Sequence, residues 1–259
     1  DLCESNDYQI RDKWFQLFKN FKYIVPGGSI MASLGKSNNV SLANCFGIEG
    51  PKDKMESIMD KGKEMAYLFM RRGGVGTHLD HLRPNGAMVN NASKTSTGAP
   101  SFMELYSTDV KTIGQNGRRG ALMLCMSDIH PDISEFVTIK QDLTKVTGAN
   151  ISVKLCRNLV TAAQKNEDWL LKWPINSRLG EFINWNSKDF EYNKLYYAGK
   201  SYFKKVKANE LLDLIIDCAW KTAEPGILLW DNIINYDPAS VYPQSKQKNT
   251  LITVSVSSV

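Results

Sequence analysis

The sequence predicts an α/β protein in which helices flank a sheet or surround a barrel. Three observations carry that prediction. Short apolar or alternating runs take turns with amphipathic helical stretches along most of the chain. Its 259 residues suffice for one large domain or two small ones with a sizeable core. Its composition, 42% hydrophobic and 23% charged, is that of a globular chain rather than a disordered or fibrous one. There is no internal repeat and no low-complexity tract.

The elements follow in order. Residues 9–21 carry Trp14, Leu17, Phe18 and Phe21 on one side of a helix, and Pro26-Gly27-Gly28 ends it in a loop. Residues 41–48 read as a short strand. A helix over 52–70 is predicted from Met55, Ile58, Met59, Met65, Leu68 and Phe69, with Pro51 at its tolerant first turn. Arg71 to His78 is so rich in glycine that it reads as a loop. Residues 82–99 are polar, with Gly, Pro, Asn, Ser and Thr clustered, and read as a long surface loop of the kind that carries function.

A second helix is expected from Pro100 to Lys111, burying Phe102, Met103, Leu105, Tyr106 and Val110. The glycine and arginine loop 114–120 then feeds an apolar strand, 121–126. His130-Pro131-Asp132 opens a helix reaching residue 140. Residues 149–155 alternate as a strand, and a short helix covers 156–165. Residues 166–205 read as a surface excursion of mixed structure. The clearest helix is 208–223, stopped by Pro225-Gly226, before a short strand, 227–230. Residues 251–259 alternate like a strand whose neighbours would lie outside this sequence.

Composition excludes some functions. No apolar run approaches the length of a transmembrane helix, and the first residues lack a secretory signal pattern. The net charge of +5 is small and dispersed, its densest patches being Arg71-Arg72, Arg118-Arg119 and Lys204-Lys205-Lys207. No basic stripe interleaves with aromatics, so neither a membrane nor a nucleic acid is an expected partner. Five widely spaced cysteines and no CxxC pair argue against a disulfide scaffold or structural zinc, and for a reducing, cytoplasmic compartment.

Several groups carry chemistry and a bland alternative. The two glycine and arginine loops suit phosphate oxygens, because backbone N–H groups and guanidinium forks supply oriented donors. They match neither a P-loop nor a dinucleotide fingerprint, and tight turns with solvated arginines are the alternative. His78 and His81 flank Asp80 without a third ligand at zinc spacing. His130 reads as a brace at a helix start. Cys45, Cys125 and Cys156 taken singly read as buried inert thiols. Trp230-Asp231-Asn232 reads as a strand end followed by an Asx turn.

Together these residues form an ordered motif set. It runs Asn44-Cys45, then Arg72-Gly73-Gly74-Val75-Gly76, Leu82-Arg83-Pro84-Asn85-Gly86 and Ser96-Thr97-Gly98-Ala99-Pro100. Gln115 to Ala121, His130-Pro131-Asp132-Ile133 with Phe136 and Lys140, and Asn150-Ile151-Ser152-Val153 complete it. In this order the set resembles the catalytic subunit of ribonucleotide reductase across roughly residues 22–235. The resemblance implies a ten-stranded α/β barrel of two five-stranded halves. Residues 1–40 would be an N-terminal helical segment, and 41–259 the first half-barrel, incomplete at its C-terminal end.

The resemblance also implies roles. The family reduces ribonucleotides to deoxyribonucleotides by thiyl-radical chemistry with redox-active cysteines. Cys45 would be the reducing cysteine on the first barrel strand, pairing with a second cysteine during turnover. Asn44, Arg118, Arg119 and Gly120 would contact substrate. Asp53, Arg83, Lys94 and Gln115 would bind a dNTP or ATP effector, with the 114–120 loop relaying its identity to the substrate site. Implied partners are a homodimer mate across the 52–70 helix and a thioredoxin or glutaredoxin system. The radical would come from a dimetal subunit or from adenosylcobalamin, and no cofactor would be held tightly by this chain. Pro26-Gly27-Gly28-Ser29 departs from the family's arginine-containing form.

The radical-cysteine motif, Asn-x-Cys-x-Glu or Asn-Pro-Cys-Gly-Glu, does not occur in these 259 residues. The chain by itself is therefore expected to be inactive as a diphosphate reductase and to need the rest of the barrel, on this or a second polypeptide. A non-catalytic nucleotide-binding fragment and an adenosylcobalamin-dependent reductase are the alternatives.

Overall fold

The computed structural model describes residues 7–35, 41–113, 120–175 and 202–237. Five parallel strands form the main sheet in the order of the chain: β1 (Cys45–Gly47), β2 (Gly74–His78), β3 (Leu122–Ser127), β4 (Ala149–Leu155) and β7 (Gly226–Leu229). Parallel neighbours need crossovers, and helices supply them. They are α3 (Met55–Met70), α4 (Ala99–Thr112), α5 (Ile133–Thr138), then α6 (Arg157–Gln164) and α7 (Ala208–Thr222). The sheet curls through 184° with open edges, which makes it half of a barrel, as the resemblance implies.

Alternation along the strands divides the sheet into two faces. Val75, Leu122, Leu124, Met126, Ala149, Ile151, Val153 and Leu155 pack against the helices as the core. Helix α3 sends Ile58, Met65 and Phe69 into it at helical spacing, and α4 sends Met103, Tyr106 and Val110. The Tyr106 hydroxyl donates to the Ile58 carbonyl at 2.9 Å, tying α4 to α3. Helix α7 buries Leu211, Ile215 and Cys218 but leaves Ile216 and Trp220 exposed.

Two smaller strands, β5 (Asp168–Trp173) and β6 (Tyr202–Lys207), pair antiparallel within the stretch read as an excursion. This ribbon leans on the carboxyl ends of the main strands. The Lys172 N–H donates to the Ile129 carbonyl at 2.8 Å, and the Trp169 indole to the Asp128 carbonyl at 2.9 Å.

Four local expectations are corrected. The glycine stretch is not all loop, because Gly74–His78 is β2, paired on both sides. Glycine is weak in a strand by itself, but here it sits between two strands that supply its ladder. Pro51 lies outside α3, which begins at Met55 after Lys54. The Pro26-Gly27-Gly28 break leads at once into a short helix, α2 (Gly28–Ser33), after α1 (Tyr8–Phe18). Trp230-Asp231-Asn232 begins a helix, α8 (Trp230–Tyr236), rather than an Asx turn. The proposed strand at 251–259 lies outside the described residues.

Candidate active site

The face of the sheet turned away from the helices is polar where the other is apolar. Register sets its rows. Cys45 pairs with Gly74, Gly47 with Gly76, and Gly76 with Met123. Further along, His78 pairs with Cys125, Cys125 with Ser152, and Ser127 with Lys154. Cys45 is a free, half-buried thiol on the edge strand. Its nearest positions in register on this face are Gly47, Gly74 and Gly76, none of which brings a side chain beside it. Glycine in a strand is where another group can approach the backbone closely.

Asn44 precedes the strand. Its carbonyl accepts from the Gly74 N–H at 2.6 Å, and its side chain accepts from the Ser29 hydroxyl. Ser29 belongs to the segment that departs from the family form, and the contact gives it a place beside Asn44 and Cys45.

At the carboxyl ends of β2, β3 and β4 lies a buried charged cluster that sequence reasoning missed. Lys154 on β4 is buried and pairs with the buried Asp80 carboxylate. Asp80 also accepts from the Ser127 N–H at 2.7 Å, and His78 Nδ1 lies 3.4 Å from it. The Lys154 ammonium sits 4.7 Å from the centre of the Trp230 ring. Burial pushes the Asp80 carboxyl up, but the neighbouring Lys154 charge more than offsets this and holds it below the usual range. Burial pushes His78 down to about 3, so it is neutral over the physiological range. The signal was present in Ala149–Leu155, whose alternation puts Asn150, Ser152 and Lys154 on one face.

Asp128 follows β3. Burial pushes its carboxyl up to about 6, against the pull of the Cys156 N–H, which it accepts at 2.7 Å. A raised carboxyl stabilises the fold below its unfolded value of 3.8, and that contribution is lost as pH rises through about 6. The difference is worth roughly 3 kcal/mol. Asp128→Asn is therefore expected to gain thermal stability over the parent as pH goes from 4 to 7. A melting-temperature difference that stays constant with pH would refute this. His78 acts in the opposite sense below pH 6.5, which comparison of variant and parent cancels.

A second site lies on the helix side. Asp53, just before α3, forms an ion pair with Arg83, whose Nε and Nη2 both lie 2.7 Å from the single oxygen Oδ2. Asp53 Oδ1 accepts the Arg83 N–H at 3.0 Å, and Arg83 Nη1 donates to the Met88 carbonyl. Both residues line a cavity of about 410 Å³ with Lys54, Met55, Asn90, Asn91 and Phe102 among its other walls. The structure thus joins two predicted effector residues 30 positions apart. Lys94 is exposed on the same loop, with a φ of 62°, and does not line the cavity. Gly120 lies two residues before β3, while Gln115, Arg118 and Arg119 lie outside the described residues.

Among the described residues no group of three or more His, Cys, Asp or Glu could hold a metal ion, and no helix is long and apolar enough to cross a membrane.

The protein is an α/β half-barrel with open edges, carrying a thiol on its first strand and, on the helix side, a cavity lined by Asp53 and Arg83. A family model described as the ribonucleotide reductase barrel domain matches residues 43–245. The chain belongs to that family. It is similar to the vitamin B12-dependent ribonucleoside-diphosphate reductase of Thermoplasma acidophilum, 31% identical over 216 residues, 83% of this chain and 25% of the relative. The Mycobacterium tuberculosis protein of the same description is 27% identical over 229 residues, 88% of this chain and 29% of the relative. Large chain 2 of the Saccharomyces cerevisiae ribonucleoside-diphosphate reductase is 26% identical over 198 residues, 73% of this chain and 22% of the relative. The chain spans about a quarter of the length of these relatives.

Proposed function

We propose that this chain is the first half-barrel of the catalytic subunit of a ribonucleoside-diphosphate reductase. The observation that carries the reading is Cys45 on the face of β1 turned away from the helices, beside glycine positions that leave room for a sugar. Cys45 is one of two thiols that give up their hydrogens and close a disulfide as the ribose 2′ carbon loses its hydroxyl as water. The second thiol lies outside this chain, as does the cysteine that carries the radical. Residues 1–40 form the N-terminal helical segment and 41–259 the half-barrel. Asn44, Arg118, Arg119 and Gly120 contact the substrate, and a thioredoxin or glutaredoxin system re-reduces the enzyme in the cytoplasm.

Asp53 and Arg83 serve a deoxynucleoside triphosphate effector in the outer cavity, and Lys94 and Gln115 are assigned to the same effector by the motif resemblance alone. The Asp53–Arg83 pair supports this, since the carboxylate fixes a guanidinium charge at the cavity wall. Met55 and Met59, one turn apart on α3 and both more than half exposed, support a homodimer in which that helix faces its mate. In the complete enzyme, Arg83→Ala should weaken effector binding about 10- to 100-fold by removing charge-assisted hydrogen bonds. Asp53→Ala should weaken it less, by freeing the arginine, and both should blur substrate choice. Unchanged effector response in both variants would remove the assignment.

A second reading concerns the radical source. The motifs alone slightly favour a dimetal subunit, whereas the Thermoplasma and Mycobacterium relatives are described as vitamin B12-dependent. Turnover of the complete enzyme with adenosylcobalamin and no second subunit would decide for the latter.

A further inference from the structure

Apart from Arg83, three motifs remain without a role in the chemistry above: Leu82 to Gly86, Ser96 to Pro100, and His130-Pro131-Asp132. The fold brings them to one point. His130 is fully buried just beyond the carboxyl end of β3, and its Nε2 lies 2.8 Å from the Leu82 carbonyl. Its Nδ1 accepts the Asp132 N–H at 3.1 Å, so Nε2 carries the proton and donates to Leu82. The buried Asp132 carboxylate accepts the Asn85 N–H, at 3.0 and 3.1 Å from its two oxygens, and the Ala99 N–H at 3.0 Å.

The 82–99 loop is therefore held at both ends by one short segment. Leu82 and Asn85 flank Arg83, and Ala99 is the first residue of α4. The approach is close at Gly98. Its φ is +82°, and an added Cβ would fall 2.7 Å from Asp132 Oδ2 and 2.8 Å from the Asn85 backbone nitrogen. Only glycine fits there without displacing the carboxylate. Between the held ends, Arg83, Val89, Asn90, Asn91 and Ser96 line the cavity.

We propose that His130 and Asp132 are positioning residues for the outer cavity: by pinning the backbone on both sides of Arg83, they hold its guanidinium in place for a nucleotide triphosphate before the nucleotide arrives. The proposal rests on the effector reading of that cavity. Its physical basis is preorganisation, since a loop already fixed in its bound shape loses less freedom on binding. A carboxylate receiving backbone N–H groups is a strong anchor for such a loop.

The test splits the imidazole into its two functions in the complete enzyme, with thymidine triphosphate as the probe. In His130→Gln the longer amide reaches the Leu82 carbonyl. In His130→Asn the shorter side chain keeps the turn to the residue 132 N–H, as an Asx turn, but falls short of Leu82. His130→Gln is expected to bind the probe within about twofold of the parent, and His130→Asn and Asp132→Asn about 5- to 10-fold more weakly. Equal affinities for the Gln and Asn variants would overturn the proposal, even if both melt at lower temperature. Amide exchange in the unsubstituted enzyme gives an independent reading. The Asn85 and Ala99 amides should be protected without nucleotide, and fast exchange at both would overturn preorganisation whether or not the variants fold. Arg83→Ala separates the two levels. If it leaves probe affinity unchanged, the effector reading falls and takes this proposal with it. If it weakens binding while His130→Asn does not, only the positioning role falls.

Discussion

Cys45→Ser in the complete enzyme is expected to reduce turnover to background, with external dithiol present and the fold intact. Serine occupies nearly the same volume, and Cys45 is only half-buried on an edge strand, so packing changes little. What changes is the chemistry. A hydroxyl does not form the disulfide whose closure supplies two reducing equivalents to the ribose. Effector binding at the Asp53–Arg83 cavity should stay as in the parent, because that site lies on the other side of the sheet. The assay is deoxyribonucleotide formed per enzyme, beside a binding curve for thymidine triphosphate. Turnover retained in the serine variant would remove Cys45 from the reaction and with it the observation that carries the proposed function.

Lys154→Met is expected to be the most damaging single change to stability. It leaves Asp80 buried without its cation, and breaking a buried pair from one side costs about 3–5 kcal/mol. The Ser127 N–H still reaches Asp80, but His78, whose protonation burial disfavours, does not replace a full charge. The double variant Asp80→Leu/Lys154→Met should recover most of the loss, because it removes both desolvated charges together. Urea unfolding of the two variants and the parent measures this. A loss below about 1 kcal/mol for Lys154→Met would mean that water reaches the pair, as it does at a surface salt bridge.

This cluster shows why part of the site escaped sequence reasoning. Asp80 and Lys154 are 74 positions apart, the one just after β2 and the other on β4. The alternation in Ala149–Leu155 puts a lysine on a strand face, but nothing local says that the face is buried or that an aspartate waits there. His78 and His81 drew attention as a possible ligand pair, whereas the neighbouring Asp80 had the more consequential partner. The two histidine rings do pack edge to face, with centroids 4.7 Å apart.

The glycine-rich stretch failed for a related reason. Read locally, Gly73, Gly74 and Gly76 favour a turn, since glycine has the most freedom to lose in an ordered strand. In the fold β2 lies between β1 and β3, and its ladder bonds are made on both sides. The second ribbon is similar. Asp168–Trp173 pairs with Tyr202–Lys207 across a long separation in sequence, so neither strand announces its mate.

What the sequence determined by itself was whatever depends on near neighbours and on order. The apolar spacing of α3, α4 and α7, the runs of β3 and β4, and the ordered motifs of the reductase family were all legible in it. Residues three or four apart share a helix face whatever surrounds them, and alternate residues share a strand face. The tertiary structure decided which distant residues meet: Arg83 with Asp53, Lys154 with Asp80, and Asp132 with both ends of the 82–99 loop. Those contacts depend on how parallel strands and their crossovers stack, and burial then gives the charges their strength by withdrawing them from water.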